Sequence, residues 1–345
     1  MTDPARVPLQ LDPPVATFLA RHGHAGAALD ALRGDASARR YLRLRGKGLL
    51  LMEDRSDPAS FAAYLRIARH LAALGLSAPR LIGADPAVGL ALIEDFGDAT
   101  YGRLLQSGAD ERALYALAVD TLLHLHRAPD AAQVAVPAYD TRTLLDEIGI
   151  FADWFAPHVR PYIDRAAFKA RCAALWEPAL APLNLVPQTP VPQTLVLRDF
   201  HVDNLMLLQD RHGVRQCGLL DFQDALRGPA AYDLVSLLQD ARRDLAPGLE
   251  AEMRARYIAG APAGAGSAIT RDYHLLGAQR HMRIAGVFLR LARRDHKPGY
   301  LQFLPRVLRQ MDAALTAAGL HAITDHLDTQ LPGWRMAHHA LAQPA

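Results

Sequence analysis

Three short apolar runs, 194–197, 205–208 and 217–220, interrupt a chain whose pattern is otherwise helical from residue 110 to 180 and again from 232 to 317. Runs of this length bounded by polar or glycine-containing segments read as strands. The first is followed by the polar loop Arg198-Asp199-Phe200-His201-Val202-Asp203-Asn204. The second and third enclose Gln209-Asp210-Arg211-His212-Gly213-Val214, which reads as a hairpin loop. With the hairpin centred between His212 and Gly213, Asn204 is expected opposite Asp221 at its open end, with Cβ atoms roughly 5 Å apart. An amide oxygen and a carboxylate at that spacing suit one hard cation such as Mg²⁺. Asp199, in the loop leading to this pair, is placed to accept the proton of an attacking hydroxyl. Taken singly, each of the three residues reads as an ordinary turn or cap residue; their joint spacing on strand-flanked loops points to phosphoryl transfer, which asks a protein mainly for positioning and charge neutralisation.

The remaining pattern frames this segment. Residues 29–33, 40–45 and 49–53 read as strands, 59–74 as an amphipathic helix with Phe61, Leu65, Ala68, Leu71 and Ala72 on one face, and 79–83 and 89–93 as two more strands. The polar stretch Glu94-Asp95-Phe96-Gly97-Asp98 reads as a hinge. Helices are expected at 110–127, 141–155, 164–180, 232–243, 248–259, 270–295 and 300–317, and an extended connection at 183–194 with its three prolines. The expected domains are 1–94, a nucleotide-binding lobe, and 95–345, a catalytic and substrate-binding lobe.

Bulk properties remove several classes. A chain of 345 residues accommodates two such bodies. A net charge of +2 gives no ground for a nucleic-acid partner. No run approaches the roughly 18 apolar residues of a membrane helix, and the first residues lack a signal-peptide pattern. Two isolated cysteines, Cys172 and Cys217, suggest neither disulfides nor a zinc site. A cytoplasmic protein acting on a small molecule, with no protein partner implied, is the expectation.

Leu197-x-Asp199-x-His201-x-x-Asn204 resembles the His-x-Asp-x-His-x-x-Asn loop of the aminoglycoside phosphotransferase-like kinases, with Leu in place of the first His. Leu220-Asp221-Phe222-Gln223-Asp224 resembles their metal motif, and Gly228-Pro229-Ala230-Ala231-Tyr232-Asp233 the segment whose Asp braces the catalytic loop. More narrowly, GDASARRYLRL (34–44), LRDFHVDNLML (197–207), LLDFQDALRGPAAYDLVSLLQDARRDL (219–245) and RIAGVFLRLARRDHKPGYLQFLPR (283–306) resemble the N-acetylmuramate/N-acetylglucosamine anomeric kinases of peptidoglycan recycling. The resemblance spans about residues 12–317. It implies an α+β, bilobal protein-kinase-like fold: a small mixed N-terminal lobe with an antiparallel sheet and a larger, mainly helical C-terminal lobe. It further implies ATP and Mg²⁺, Asp199 as base, Asn204 and Asp221 as metal ligands, Asp233 as structural buttress, and nucleotide contacts at the hinge near Glu94 and Phe96. The implied product is the 1-phosphate of the amino sugar. Alternatives are another small-molecule hydroxyl acceptor, or a nucleotide-binding pseudokinase.

One expected feature is missing. Strand 49–53 has no interior Lys, and helix 59–74 contains no acidic residue to pair with one. The phosphate loop offers Gly34 and Ser37; Arg39, Arg40 or Lys47 remain to supply positive charge, with Arg40 the choice made from sequence. Towards the acceptor, residues 273–311 hold eight Lys or Arg and one acidic residue. Arg280, Arg283, Arg290 and Arg294 fit one helical face. A basic wall suits a neutral or acidic acceptor and makes Arg280, Arg283 and His201 the expected substrate contacts, against the alternatives of a solvated basic face and of a His201 that only packs in its loop.

Overall fold

The computed structural model describes residues 11–32, 39–183 and 193–341. Ser37 and most of the proline-bearing connection fall outside them. The chain forms two compact units, one running up to Thr121 and including Val202–Ala225, the other comprising Leu122–His201 and the residues from Leu226 onward. The second stretch of the first unit is the hairpin segment, set between two stretches of the second unit.

In the first unit, β1 (Leu29–Ala31), β2 (Arg40–Leu44), β3 (Leu49–Glu53), β4 (Leu81–Asp85) and β5 (Leu90–Glu94) make an antiparallel sheet in the order β1-β2-β3-β5-β4. Leu51 and Met52, successive residues pointing to opposite faces, are both fully buried, so the central strand is covered on both sides. One cover is the helix Pro13–Arg21, capped by Asp12, whose Val15, Phe18 and Leu19 pack on Leu42, Leu44, Leu51, Leu90 and Leu92. The helix Pro58–Ala73 starts at the Asp57 cap with Pro58 in its first turn. It buries Phe61, Tyr64, Leu65, Ile67, Ala68 and Leu71, while Ala72, expected on that face, is exposed.

The hairpin strands Leu205–Leu207 and Cys217–Leu219 belong to this same unit. Leu207 N–H donates to the Ala99 carbonyl (2.9 Å) and Leu219 N–H to the Ser77 carbonyl (2.7 Å). Gly218 is required by contact: a Cβ there would lie 2.9 Å from the Phe96 ring and 3.1 Å from Leu208. The register differs from expectation by one residue. Leu205 pairs with Leu219, and the connection contains a 3₁₀ turn at Gly213–Gln216. Asn204 therefore stands opposite Leu220, whose N–H donates to its carbonyl (3.0 Å), and not opposite Asp221.

In the second unit the strand Gln193–Val196 pairs antiparallel with Leu226–Pro229, a strand the sequence reading did not separate from the segment before it. The rest is helical. The long helix Gly266–Arg293 buries every residue from Leu275 to Met282 and so is surrounded by protein there. Around it run the helices Thr141–Ile150, Ala231–Leu238 and Leu304–Ala317. The expected helix 141–155 changes to a π-helical turn at Phe151–Phe155. At that change Gly286 approaches so closely that a Cβ would lie 2.6 Å from the Ile150 carbonyl oxygen. The opposing atoms are backbone and cannot swing aside. Gly286→Ala is therefore expected to destabilise the protein by about 1–3 kcal/mol, read as a lower thermal midpoint; an unchanged midpoint would contradict this packing.

Candidate functional site

Each unit carries one group of the expected functional residues. In the second unit, the strand Gln193–Val196 ends in a turn held by Asp233 from the helix Ala231–Leu238. Asp233 is fully buried, and its two carboxylate oxygens accept the N–H groups of Leu197 (2.7 Å) and Arg198 (2.8 Å). Burial pushes its pKa up to about 7, against these two bonds, which favour the ionised form. Arg198 adopts the left-handed region (φ 70°), uncommon for a residue with a side chain. Its carbonyl accepts the Ser236 hydroxyl (3.0 Å), which in turn accepts Arg280 Nη2 (2.9 Å). The turn before Asp199 is thus fixed through both N–H groups and a carbonyl, which supports Asp233 as the buttress.

A second buried carboxylate, Glu147, gathers the basic groups. It is paired with Arg198 and with Arg283 (3.2 Å), and accepts Tyr139 Oη (2.6 Å) and Gln279 Nε2 (3.1 Å). Two guanidinium groups against one carboxylate leave positive potential at Asp199. Burial there raises the Asp199 pKa, but Arg283, then His201, Arg280 and Arg198, outweigh it and hold it below the ordinary carboxylate value. His201 is itself buried and, by desolvation first and Arg242 second, lowered to about 4. It is therefore neutral at pH 7, where the arginines supply the positive charge around Asp199.

The expected substrate contacts divide. Arg280 is buried between Ser236 and the Tyr232 ring (6.0 Å) and supports the turn. Arg283 keeps 19 % of its side chain exposed. Arg290 is partly exposed, and Arg294 is exposed and paired with Asp295 (2.7 Å). Helical spacing placed all four on one face but carries no information on depth, which changes along a helix enclosed at one end.

In the first unit, Asn204 and Asp221 lie at the open end of the hairpin. Asp221 is exposed and left-handed (φ 57°), so strand alternation does not set the direction of its side chain. Both offer oxygen donors, the type Mg²⁺ takes, and Mg²⁺ sites commonly use one or two carboxylates together with phosphates. The donor chemistry fits the ion. No group of three or more His, Cys, Asp or Glu suited to a metal occurs among the described residues. Asp203 sits against Gly102, where a Cβ would fall 2.2 Å from Oδ1, consistent with a loop brace.

The residue that sequence reasoning ranked below Arg40 is Arg39. Arg40 is exposed, 63 % of its side chain, and pairs with Glu53 (3.5 Å). Arg39 is buried and pairs with Asp54 (3.0 Å). The signal available from sequence was an Arg followed by Asp54 at the far end of the neighbouring strand. At the hinge, Glu94 is taken up by Arg211 (2.5 Å) and by Arg80 N–H (3.2 Å). The Phe96 ring lies under the Arg211 guanidinium (5.0 Å). The Glu94 and Asp95 N–H groups already donate to Arg80 and Gly48 carbonyls, which leaves the Phe96 backbone as the better candidate for a nucleotide base.

Residues 29–269 match the model of the phosphotransferase enzyme family. An N-acetylmuramate/N-acetylglucosamine kinase of Caulobacter vibrioides is 35 % identical over 353 residues, 92 % of this chain and 96 % of that protein. One of Neisseria meningitidis serogroup B is 34 % identical, covering 80 % and 82 %. Among solved structures, ADP-bound aminoglycoside phosphotransferase APH(2'')-Ib aligns with TM-score 0.59 at 14 % identity, covering 89 % and 99 %. A choline/ethanolamine kinase family protein from Mesorhizobium loti aligns with TM-score 0.58 at 16 % identity, covering 95 % and 97 %. These likenesses bear out the α+β, protein-kinase-like fold.

Activity that depends on ionised Asp199 should fall only at low pH. Arg283→Met removes the strongest influence holding its pKa down, so the acid limb of the kcat/KM profile is expected to move to higher pH. An unmoved limb would show that Arg283 does not act on the group whose ionisation sets that limb.

Proposed function

Because this chain belongs to the phosphotransferase enzyme family, we propose that it transfers the γ-phosphoryl group of ATP to the anomeric hydroxyl of N-acetylmuramate, N-acetylglucosamine or both, in cell-wall recycling. The observation that carries the proposal is Asp199, half-buried and kept ionised by arginines on a turn locked by Asp233. The choice of acceptor draws on the relatives that match most of the chain. Asp199 takes the proton of the C1 hydroxyl while that oxygen bonds to the γ-phosphorus and the bond to ADP breaks. A carboxylate of low pKa is a weak base, so proton transfer accompanies phosphorylation and does not precede it. An anomeric hydroxyl, more acidic than an ordinary alcohol, lessens that demand.

Asn204 and Asp221 would hold Mg²⁺, which when bound neutralises charge on the nucleotide phosphates. The Phe96 backbone would meet the adenine. Arg283, the more exposed of the two inner arginines, would pair the lactyl carboxylate of N-acetylmuramate. Two free, buried cysteines and a need for ATP suit a cytoplasmic enzyme, and no described helix is long and apolar enough to cross a membrane.

A panel of amino sugars, aminoglycosides and choline with ATP and Mg²⁺ tests the reading. Sugar-dependent ADP release is expected with at least one of the two amino sugars, falling by about 10²–10⁴-fold in Asp199→Asn. ADP release only with another acceptor, or a nearly intact Asp199→Asn enzyme, would contradict it. Arg283→Met is also expected to lower kcat/KM for N-acetylmuramate more than for N-acetylglucosamine, because only the former carries the carboxylate; equal losses would remove Arg283 from acceptor recognition.

A further inference from the structure

Arg39 precedes β2 and is 5 % exposed, as is Asp54. Several side chains gather on its guanidinium, Tyr41 among them. Nε donates to Asp54 Oδ2 (3.0 Å), Nη1 to Gln223 Oε1 (2.8 Å) and Nη2 to Ser60 Oγ (2.9 Å). Its plane lies over the Tyr64 ring at 5.4 Å, and Tyr64 stacks on Phe222 (5.0 Å, 17°). A guanidinium with several in-plane donors satisfies such a set; an ammonium on a flexible stem does not reproduce the fork. With its donors turned inward, Arg39 is not arranged to reach a nucleotide phosphate.

Its connection leads elsewhere. Gln223 accepts from Arg39 through Oε1, and its Nε2 donates to Asp221 Oδ1 (3.0 Å) and to Asp224 Oδ2 (3.2 Å). The amide has only this sensible orientation, since the guanidinium is a pure donor and the carboxylates are acceptors. Gln223 thus turns a cation on one side into a hydrogen-bond donor on the other. Asp221 has a left-handed backbone outside the hairpin ladder, so neither strand pairing nor rotamer alternation orients it.

We propose that Arg39, acting through Gln223, is the positioning residue for the Asp221 carboxylate. The chain Asp54–Arg39–Gln223–Asp221 ties a buried ion pair at the adjoining ends of β2 and β3 to the metal-binding aspartate. It takes up the positive charge that strand β3 lacks, and uses it to orient a ligand and not to touch substrate. This rests on the reading of Asp221 as a Mg²⁺ ligand.

The test is Mn²⁺ binding to the full-length protein with a non-hydrolysable ATP analogue, followed by electron paramagnetic resonance, beside the thermal midpoint without ligands. Gln223→Leu keeps the Arg39–Asp54 and Arg39–Ser60 contacts, so its midpoint is expected to stay within a few degrees while Mn²⁺ affinity falls about tenfold, the usual scale for losing a group that orients a ligand. Arg39→Lys is expected to weaken Mn²⁺ similarly, and the double variant to be no weaker than the worse single one, because both break one chain. Unchanged Mn²⁺ affinity in Gln223→Leu, or additive losses in the double variant, would overturn the relay. Asp221→Ala separates this from the reading beneath it: if that variant still binds Mn²⁺ normally, Asp221 is not a metal ligand and both fall; if it loses Mn²⁺ while Gln223→Leu does not, only the relay falls.

Discussion

The carboxylate of Asp233 is the constraint on which the loop carrying Asp199 depends. Both of its oxygens are used on consecutive backbone N–H groups, those of Leu197 and Arg198, at the point where a strand gives way to a turn. Arg198 is left-handed there, a conformation that persists only where its surroundings enforce it. Ser236, one helical turn on from Asp233, takes the Arg198 carbonyl, and Arg280 steadies Ser236. The short helix Ala231–Leu238 is buried along its whole length, so these donors and acceptors rest on a rigid support. A turn that is strained and held at three backbone atoms gives the backbone entering Asp199 a fixed direction.

Charge in this unit follows from the same arrangement. Arg198 points its side chain away from Asp199 to Glu147, where Arg283 also arrives. One acid neutralises part of two cations, and Asp199 senses the remainder. Had Glu147 been apolar, two buried guanidinium groups would have lacked a counter-charge, at a desolvation cost of several kcal/mol each. Had a second acid been present, Asp199 would have lost the field that keeps it ionised despite burial. The ionised Asp199 carboxylate and the partly exposed Arg283 follow from this balance.

The candidate residues Asp199, Asn204 and Asp221 were legible because strand–loop–strand punctuation marks them directly, whereas Asp233 was suggested only by the family resemblance. The hairpin register was not legible, because a 3₁₀ turn at Gly213–Gln216 shifts the pairing by one and leaves no mark in an apolar alternation. Arg40 looked preferable to Arg39 since neighbouring residues of a chain entering a strand differ only in which face they take. What settles it is burial against Asp54 and Gln223, the latter 184 positions away. Arg280 and Arg283 shared a predicted face, yet the helix is enclosed at one and opening at the other. Five antiparallel strands and the main helices were readable from periodicity; the hairpin's bonds to Ala99 and Ser77 were not, since both partners lie in loops without periodicity.

The central claim is the position at which phosphate is attached. The direct measurement is phosphorus–proton NMR of the product formed from N-acetylmuramate and ATP by the purified protein. The account predicts a phosphorus signal coupled to the single anomeric proton, H1, with loss of the free reducing-end resonances. Phosphorus coupled instead to the C6 methylene protons, with the reducing end intact, would contradict it.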